Sequence, residues 1–231
     1  MKVDFGVIGA LEEEVSSLIG KLKFKRTIKA GGVDIHVGRL GKRRVAVAKS
    51  GVGKVFAALC TEAMIIKTNP SLIINTGVGG ALGGGLRTAD TVFATSLVQH
   101  DMDTSPIGDP VGLISGINKI YFETDARAVQ ILSRGAAELN IKSKTATVAT
   151  GDKFIADAAD KARIKELFGA DVCEMEGAAI AHVAFVNDTP VAVIRAISDS
   201  ADEGATMDYR EFLPVAAKNS AALTEYLIEK Y

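Results

Sequence analysis

The sequence predicts an α/β fold of three layers, α/β/α, built on a central mixed, largely parallel twisted sheet. Three observations carry that expectation. Short apolar runs such as VDFGVIG, SLIINTG and PVAVIRA are continuous rather than alternating, the pattern of strands buried on both faces. Segments of helical spacing separate these runs. A Gly31-Gly32 pair between two early strand patterns signals a hairpin, which adds antiparallel edges to the parallel sheet.

The elements follow in order. Residues 3–9 form a first strand ending in glycine, and a helix follows over about 10–21 with Leu11, Val15, Leu18 and Leu22 at helical spacing. Strands are expected at 24–30, 33–39 and 43–50, and SGVGKV opens a helix to about Thr68, beyond which Pro70 bars further helix. A strand at 71–77 leads into a glycine-dense loop at 77–85 and a strand at 90–98. Residues 99–118, with Pro106, Pro110 and several glycines, are irregular. From 123 the pattern returns to a helix (to about Leu139), a strand at 144–150, a helix at 158–168 and an apolar helix from near Met175. A strand at 190–196, a polar loop and an amphipathic helix from about Asp208 complete the pattern. No linker, repeat or low-complexity tract interrupts it, so one domain is expected over 1–231.

Composition narrows the function classes. Of 231 residues, 48% are hydrophobic, enough to bury a substantial core without staples. Lys plus Arg number 27 against 28 for Asp plus Glu, and no basic patch or charge run points to nucleic acid. Cys60 and Cys173 lack the spacing of a disulfide framework or a zinc site and are expected as buried thiols. No stretch reaches the roughly 18–20 apolar residues needed to span a bilayer, and the amino terminus carries no leader pattern. A cytoplasmic protein without metal or cofactor is expected.

Ligands of such sheets bind beyond the carboxyl ends of the strands. Three of six strand ends here are acidic: ALEEEV after 3–9, CEMEG near 172 and ISDSAD after 190–196. The glycine loop lacks GxGxxG, since position 82 is leucine, and SGVGKV lacks the P-loop spacing, so dinucleotide and triphosphate chemistry lose support. Against the helical stripe Glu13 faces solvent, whereas Glu12 and Glu14 flank the stripe on opposite sides, and the helical wheel does not choose between them. Acidic residues in a first turn also complement the helix dipole. Glu176 precedes GAAIAHVAF, a helix with almost no polar face, and would share a side with Ile180 and Val183; a carboxylate there must be paired, hydrogen-bonded or protonated. Asp199 lies just past an apolar strand, where capping by it or by Ser198 is the plainer role, and Arg195 within that strand is a candidate buried counter-ion. His100 sits in QHDMD, whose spacing fits no familiar metal set, and a structural role is expected for it.

Taken together, IGALEEEV (8–15), KSGVGKV (49–55), INTGVGG (74–80), GDKFI (151–155), CEMEGAAIAHV (173–183) and RAISDSAD (195–202) resemble the methylthioadenosine/S-adenosylhomocysteine nucleosidases of the purine nucleoside phosphorylase superfamily. The six stretches occur in the family's order across nearly the whole chain. The resemblance implies hydrolysis of the N-glycosidic bond of methylthioadenosine or S-adenosylhomocysteine with release of adenine, by a homodimer. It implies that Glu14 activates the water, that Glu176 holds the ribose hydroxyls and steadies the cationic sugar, and that Asp199 protonates adenine N7. Phe154 would stack on adenine and the Ile155 backbone would bond its Watson–Crick edge. Met175 would contact the ribose, while Leu11 and Val52 would line the pocket, with Gly80 and Glu174 also in the binding site. Ser198 and Arg195 would support the catalytic groups, and Tyr209 would close over the ligand. Two departures stand out: Val78 replaces a serine that helps hold the water in many relatives, and Ile107 replaces a phenylalanine that covers the alkylthio group from the partner subunit. The EEE run lies where phosphorylases bind phosphate, so water is the expected nucleophile. The rival readings are a phosphate-dependent phosphorylase of the same fold, another adenine nucleoside such as aminodeoxyfutalosine as substrate, and a silent nucleoside-binding protein.

Overall fold

The computed structural model describes residues 1–83, 85–199 and 205–231, with side chains for all of these except 199 and 205–211. In chain order the first elements are β1 (Phe5–Gly9), α1 (Glu12–Lys21), β2 (Lys23–Ala30), β3 (Val33–Leu40), β4 (Arg43–Lys49) and α2 (Lys54–Thr68). Then come β5 (Leu72–Ala81), β6 (Thr91–Gln99), a single 3₁₀ turn at Ser105–Ile107, β7 (Tyr121–Glu123), α3 (Ala126–Glu138) and β8 (Ser143–Thr150). The chain continues through α4 (Ala158–Phe168), β9 (Val172–Glu174), α5 (Gly177–Val186), β10 (Val191–Asp199) and α6 (Ala205–Lys230).

The expected mixed sheet between helices is present, with ten strands among the described residues. Two parallel blocks form its body, β4-β1-β5-β10 and β6-β8-β9. Antiparallel pairs join them, β10 to β6 and β5 to β9, so β5 has β1 and then β9 on one side and β10 on the other. The sheet thereby curls until its two blocks close on each other. At the far edge β2 and β3 form the expected hairpin, whose Gly31 and Gly32 have φ of +57° and +76°. Two successive positive φ values are what a tight primed hairpin turn requires, and glycine adopts them without a Cβ clash.

Alternation along the strands divides the core. One set, including Ile8, Ala46 and Ile73, packs under α2 and α5; the other, including Val7, Val45 and Leu72, packs under α1, α3 and α6. A smaller cluster of Ile155, Ile164, Phe168 and Leu82 seats α4. Cys60 and Cys173 are buried, and burial pushes the Cys60 thiol up to about 12. Among the described residues no helix is long and apolar enough to cross a membrane.

Two local expectations need correction. The glycine-dense segment is not a loop from residue 77: β5 continues to Ala81, because Gly77 and Gly79 pair with Arg195 and Ile197 while Gly80 and Ala81 pair with Cys173 and Val172. The glycines serve close packing, since a Cβ on Gly79 would lie 2.7 Å from Val172 Cγ1. The second concerns β7, which went unrecognised because three residues are too few for alternation to register, so the following helix begins at Ala126 rather than 123.

Candidate active site

Among the described residues, six chain segments line one cavity of about 200 Å³: 10–14 after β1, Val52 after β4, 78–80 in β5, 153–155 after β8, 173–176 from β9 to the residue before α5, and Ser198 in β10. They are carboxyl ends of strands, as the topology demands.

Glu14 is the third residue of α1 and is 3% exposed, so the structure settles which flank of the helix is buried. Its carboxylate reaches back to the helix start, where Oε2 accepts from Ala10 N at 2.6 Å and Leu11 N at 3.0 Å. This is the capping geometry that a glutamate at this position favours. Oε1 accepts from Val78 N at 3.2 Å, joining α1 to β5. Gly77 makes room for it, since a Cβ there would lie 2.9 Å from Oε1. Glu12 and Glu13 are exposed, with Glu12 paired to Lys49.

Glu176 is 8% exposed and stands one residue before α5 rather than within it, so its side chain does not run along the Ile180 face. It turns to the start of α2, where Oε1 accepts from Gly53 N at 2.8 Å. Gly53 precedes the helix at φ +97° and caps it with no side chain. The orphan amides of that first turn are therefore available to carboxylates from elsewhere.

Between them runs a buried ion pair. Arg195 donates from Nε to Glu174 Oε2 at 3.2 Å and from Nη2 to the same oxygen, and also from Nη2 to Asn75 Oδ1. The two side chains are 1% and 2% exposed. Glu174 also accepts from the Glu176 and Gly177 amides at 3.0 and 2.7 Å, and from Thr150 Oγ1. Burial opposes its charge, but Arg195 and these donors hold the carboxyl below the usual range. With its guanidinium committed to Glu174, Arg195 only partly offsets the burial of the other two carboxyls. Desolvation raises Glu14, and desolvation together with the Glu174 charge pushes Glu176 up to about 7. Carboxyls perturbed in this way within a cleft mark a candidate catalytic site.

Of the residues expected from the sequence, the structure brings Glu14, Glu176, Leu11, Val52, Val78, Gly80, Phe154, Ile155, Glu174, Met175 and Ser198 to the cavity wall. Arg195 lies behind the wall and is bonded to Glu174 instead of Glu14. Ile107 is 82% exposed on the 3₁₀ turn and does not line the cavity of its own chain. The backbone of Asp199 pairs with Gly80, across a register shift that follows Ile197. The side chains of Asp199 and Tyr209 lie outside the described residues. His100 is buried, as a structural role requires.

Sequence reasoning missed the partners that hold these groups: Asn75, Thr150, Gly53 and Gly77. Asn75 was legible in principle, as a polar residue within an apolar strand; it is 1% exposed, donates to Ile8 O at 3.0 Å and fixes Arg195. Thr150 links Glu174 to the Ala178 amide, 2.8 Å from its Oγ1.

A family described as the phosphorylase superfamily matches residues 4–229. The aminodeoxyfutalosine nucleosidase of Campylobacter jejuni is 38% identical over 224 residues, 97% of each chain. Among solved structures, a 5′-methylthioadenosine/S-adenosylhomocysteine nucleosidase from Neisseria meningitidis, in complex with methylthio-immucillin-A, superposes with a TM-score of 0.95 at 33% identity over 99% of each chain. The futalosine hydrolase of Helicobacter pylori does so at 0.93 and 33%, covering 99% of this chain and 98% of its own.

Proposed function

The chain belongs to the phosphorylase superfamily, as one of its nucleoside-cleaving enzymes, and on that premise we propose that it hydrolyses the N-glycosidic bond of methylthioadenosine and S-adenosylhomocysteine. The observation that carries the hydrolytic reading is the charge of the cavity. Three carboxylates, Glu14, Glu174 and Glu176, line it, and the one lining cation among the described residues is Lys153, whose ammonium is already paired with Asp160. A phosphate dianion would be repelled there, whereas a neutral water and a sugar gaining positive charge are favoured.

In this mechanism Glu14 orients the water and takes its proton as the oxygen bonds to C1′, and burial, by raising its affinity for protons, makes it a stronger base than an ordinary carboxylate. Glu176 accepts from the ribose hydroxyls and offsets the oxocarbenium charge. The bonding pair of the broken C1′–N9 bond leaves with adenine, which Asp199 protonates at N7. Phe154 stacks on the base, the Ile155 backbone binds its edge, Met175 touches the ribose, and Tyr209 closes the site. Arg195 acts through Glu174, and Val78 contributes its amide to Glu14 rather than a hydroxyl to the water.

The Campylobacter relative favours a second reading, in which aminodeoxyfutalosine is the substrate. Side-by-side adenine release from the three nucleosides, with and without phosphate, tests both readings. Turnover of the thioether substrates without phosphate is expected; turnover of aminodeoxyfutalosine alone transfers the assignment to the second reading, and strict phosphate dependence sinks the hydrolase.

A single domain and a cytoplasmic homodimer are part of the proposal. Supporting the dimer, Val55, Phe56 and Ile66 on α2 are 73%, 58% and 65% exposed, and that apolar face continues into Val52 at the cavity. Ile107 would then reach the partner's site.

A further inference from the structure

A ring of hydrogen bonds that the proposed chemistry does not use lies beside the cavity. Asp101, just beyond β6, accepts from Asp152 N through Oδ2 at 2.9 Å and from Lys54 Nζ through Oδ1 at 2.6 Å. Asp152, in the loop after β8, accepts from Lys54 N through Oδ1 at 2.8 Å, which closes the ring. The segments that follow β6 and β8 meet the start of α2 at this point. Lys54 Nζ also donates to Gln99 Oε1 at 3.3 Å. His100 presses its ring against Gly151, where a Cβ would lie 2.3 Å from Nε2. Gly53 is crowded too, with Asp152 Oδ1 3.0 Å from where its Cβ would stand.

Both exits from the ring lead into the site. One residue before Lys54, the Gly53 amide donates to Glu176. Two residues after Asp152, Phe154 and Ile155 form the cavity wall. We propose that Asp101 is a positioning residue: by holding Lys54 and Asp152 together, it sets the Gly53 donor against Glu176 and places the Phe154–Ile155 wall opposite the same carboxylate. This rests on reading the cavity as a nucleosidase site.

The geometry suits the task. The Lys54 and Asp101 side chains are 20% and 30% exposed, shielded enough for a charge-assisted bond to hold. Burial opposes the Asp101 charge, but Lys54 and the Asp152 amide keep its carboxyl below the usual range, so the ring persists at neutral pH. Facing Glu176 among the described residues are Glu174 from β9, Arg195 from β10, Glu14 from α1 and the Gly53 amide before α2. Burial, Glu174 and Glu14 raise its proton affinity, while Gly53 and Arg195 lower it. Loosening the Gly53 bond therefore moves the titration of Glu176 upward.

The test compares wild type, Asp101→Asn, Lys54→Met, the double variant and Asp103→Asn, an exposed control on the same loop. Displacing a reacting group by an ångström costs up to about 100-fold, so each ring variant should lose ~10- to ~100-fold in kcat/KM for methylthioadenosine near pH 7. The ascending limb of the pH profile should move to higher pH, and amide exchange at 50–56 and 151–155 should quicken. The double variant should be no worse than the poorer single variant, as expected of one coupled unit, and Asp103→Asn should match wild type. If the ring variants merely melt earlier while the limb and the exchange stay at wild-type positions, the inference is overturned. Should the wild type release adenine from none of the nucleosides, the reading of the site fails instead; exchange at the two segments then decides the ring alone, unchanged rates in both ring variants overturning it.

Discussion

Replacing Glu176 by Gln keeps an oxygen to accept from Gly53 N, 2.8 Å away, and removes the charge that burial and the Glu174 and Glu14 carboxylates oppose. In the folded wild type this carboxyl is pushed up to about 7 from an ordinary value of 4.5. Between those values the unfolded chain releases the proton while the folded chain keeps it, so stability falls as pH rises through this window. Below it neither state is charged and nothing is lost. Above pH ~7 the whole cost is present, on the order of 3 kcal/mol at about 1.4 kcal/mol per pH unit. Glu176→Gln escapes that cost and should be about 1–3 kcal/mol more stable at pH 8, with the lower figure allowing for imperfect hydrogen bonding by the amide. At roughly 2–4 °C per kcal/mol for a chain of this size, the melting temperature should rise by about 2–12 °C. Thermal unfolding followed by circular dichroism from pH 4.5 to 9 measures this, and the advantage should shrink towards nothing at the acid end. The same variant should lose at least ~100-fold in adenine release. Stability gained where activity is lost is the expected mark of a strained functional group. A variant that melts at or below wild type at pH 8, or whose advantage is the same at every pH, would refute the reasoning.

The remaining predictions concern the groups around it. Glu174→Gln leaves the Arg195 guanidinium buried without its anion, which costs about 3–5 kcal/mol. Its melting temperature should fall by roughly 6–20 °C. Because the Glu174 charge raises Glu176, the ascending limb of the pH–rate profile should move to lower pH, opposite to the ring variants; a limb that stays in place would contradict this. Gly77→Ala puts a Cβ 2.9 Å from Glu14 Oε1, so kcat/KM should drop by ~10- to ~100-fold, and unaltered turnover would show that Glu14 tolerates displacement. Glu14→Gln and Asp199→Asn should each lower kcat by at least ~100-fold while adenine still binds in an equilibrium assay; near-native rates would remove them from the chemistry.

Continuous apolar strands made the parallel blocks readable, and Gly31-Gly32 announced the hairpin, because both signals are local. Closure of the sheet through β9 and β10 was not readable. It depends on pairing between residues about a hundred positions apart, and β9 is only three residues long. The same divide runs through the site. Periodicity made Glu176 suspect but could not choose between Glu12 and Glu14, since that choice is made by the Ala10, Leu11 and Val78 amides. Glu174 carried no special signal beside Glu176, yet it takes Arg195 and thereby leaves the other two carboxyls under-compensated. The narrowing to 5′-thioethers came from the resemblance, and the Campylobacter relative widens it again.

Water as the nucleophile is the claim on which the rest depends. Purified protein given methylthioadenosine in ¹⁸O-enriched water without phosphate, with the products followed by mass spectrometry, tests it most directly. Adenine should appear together with a free thio-substituted ribose carrying the heavy oxygen at C1, at a rate that added phosphate does not change. Adenine that appears only with phosphate, alongside a ribose 1-phosphate, would contradict it.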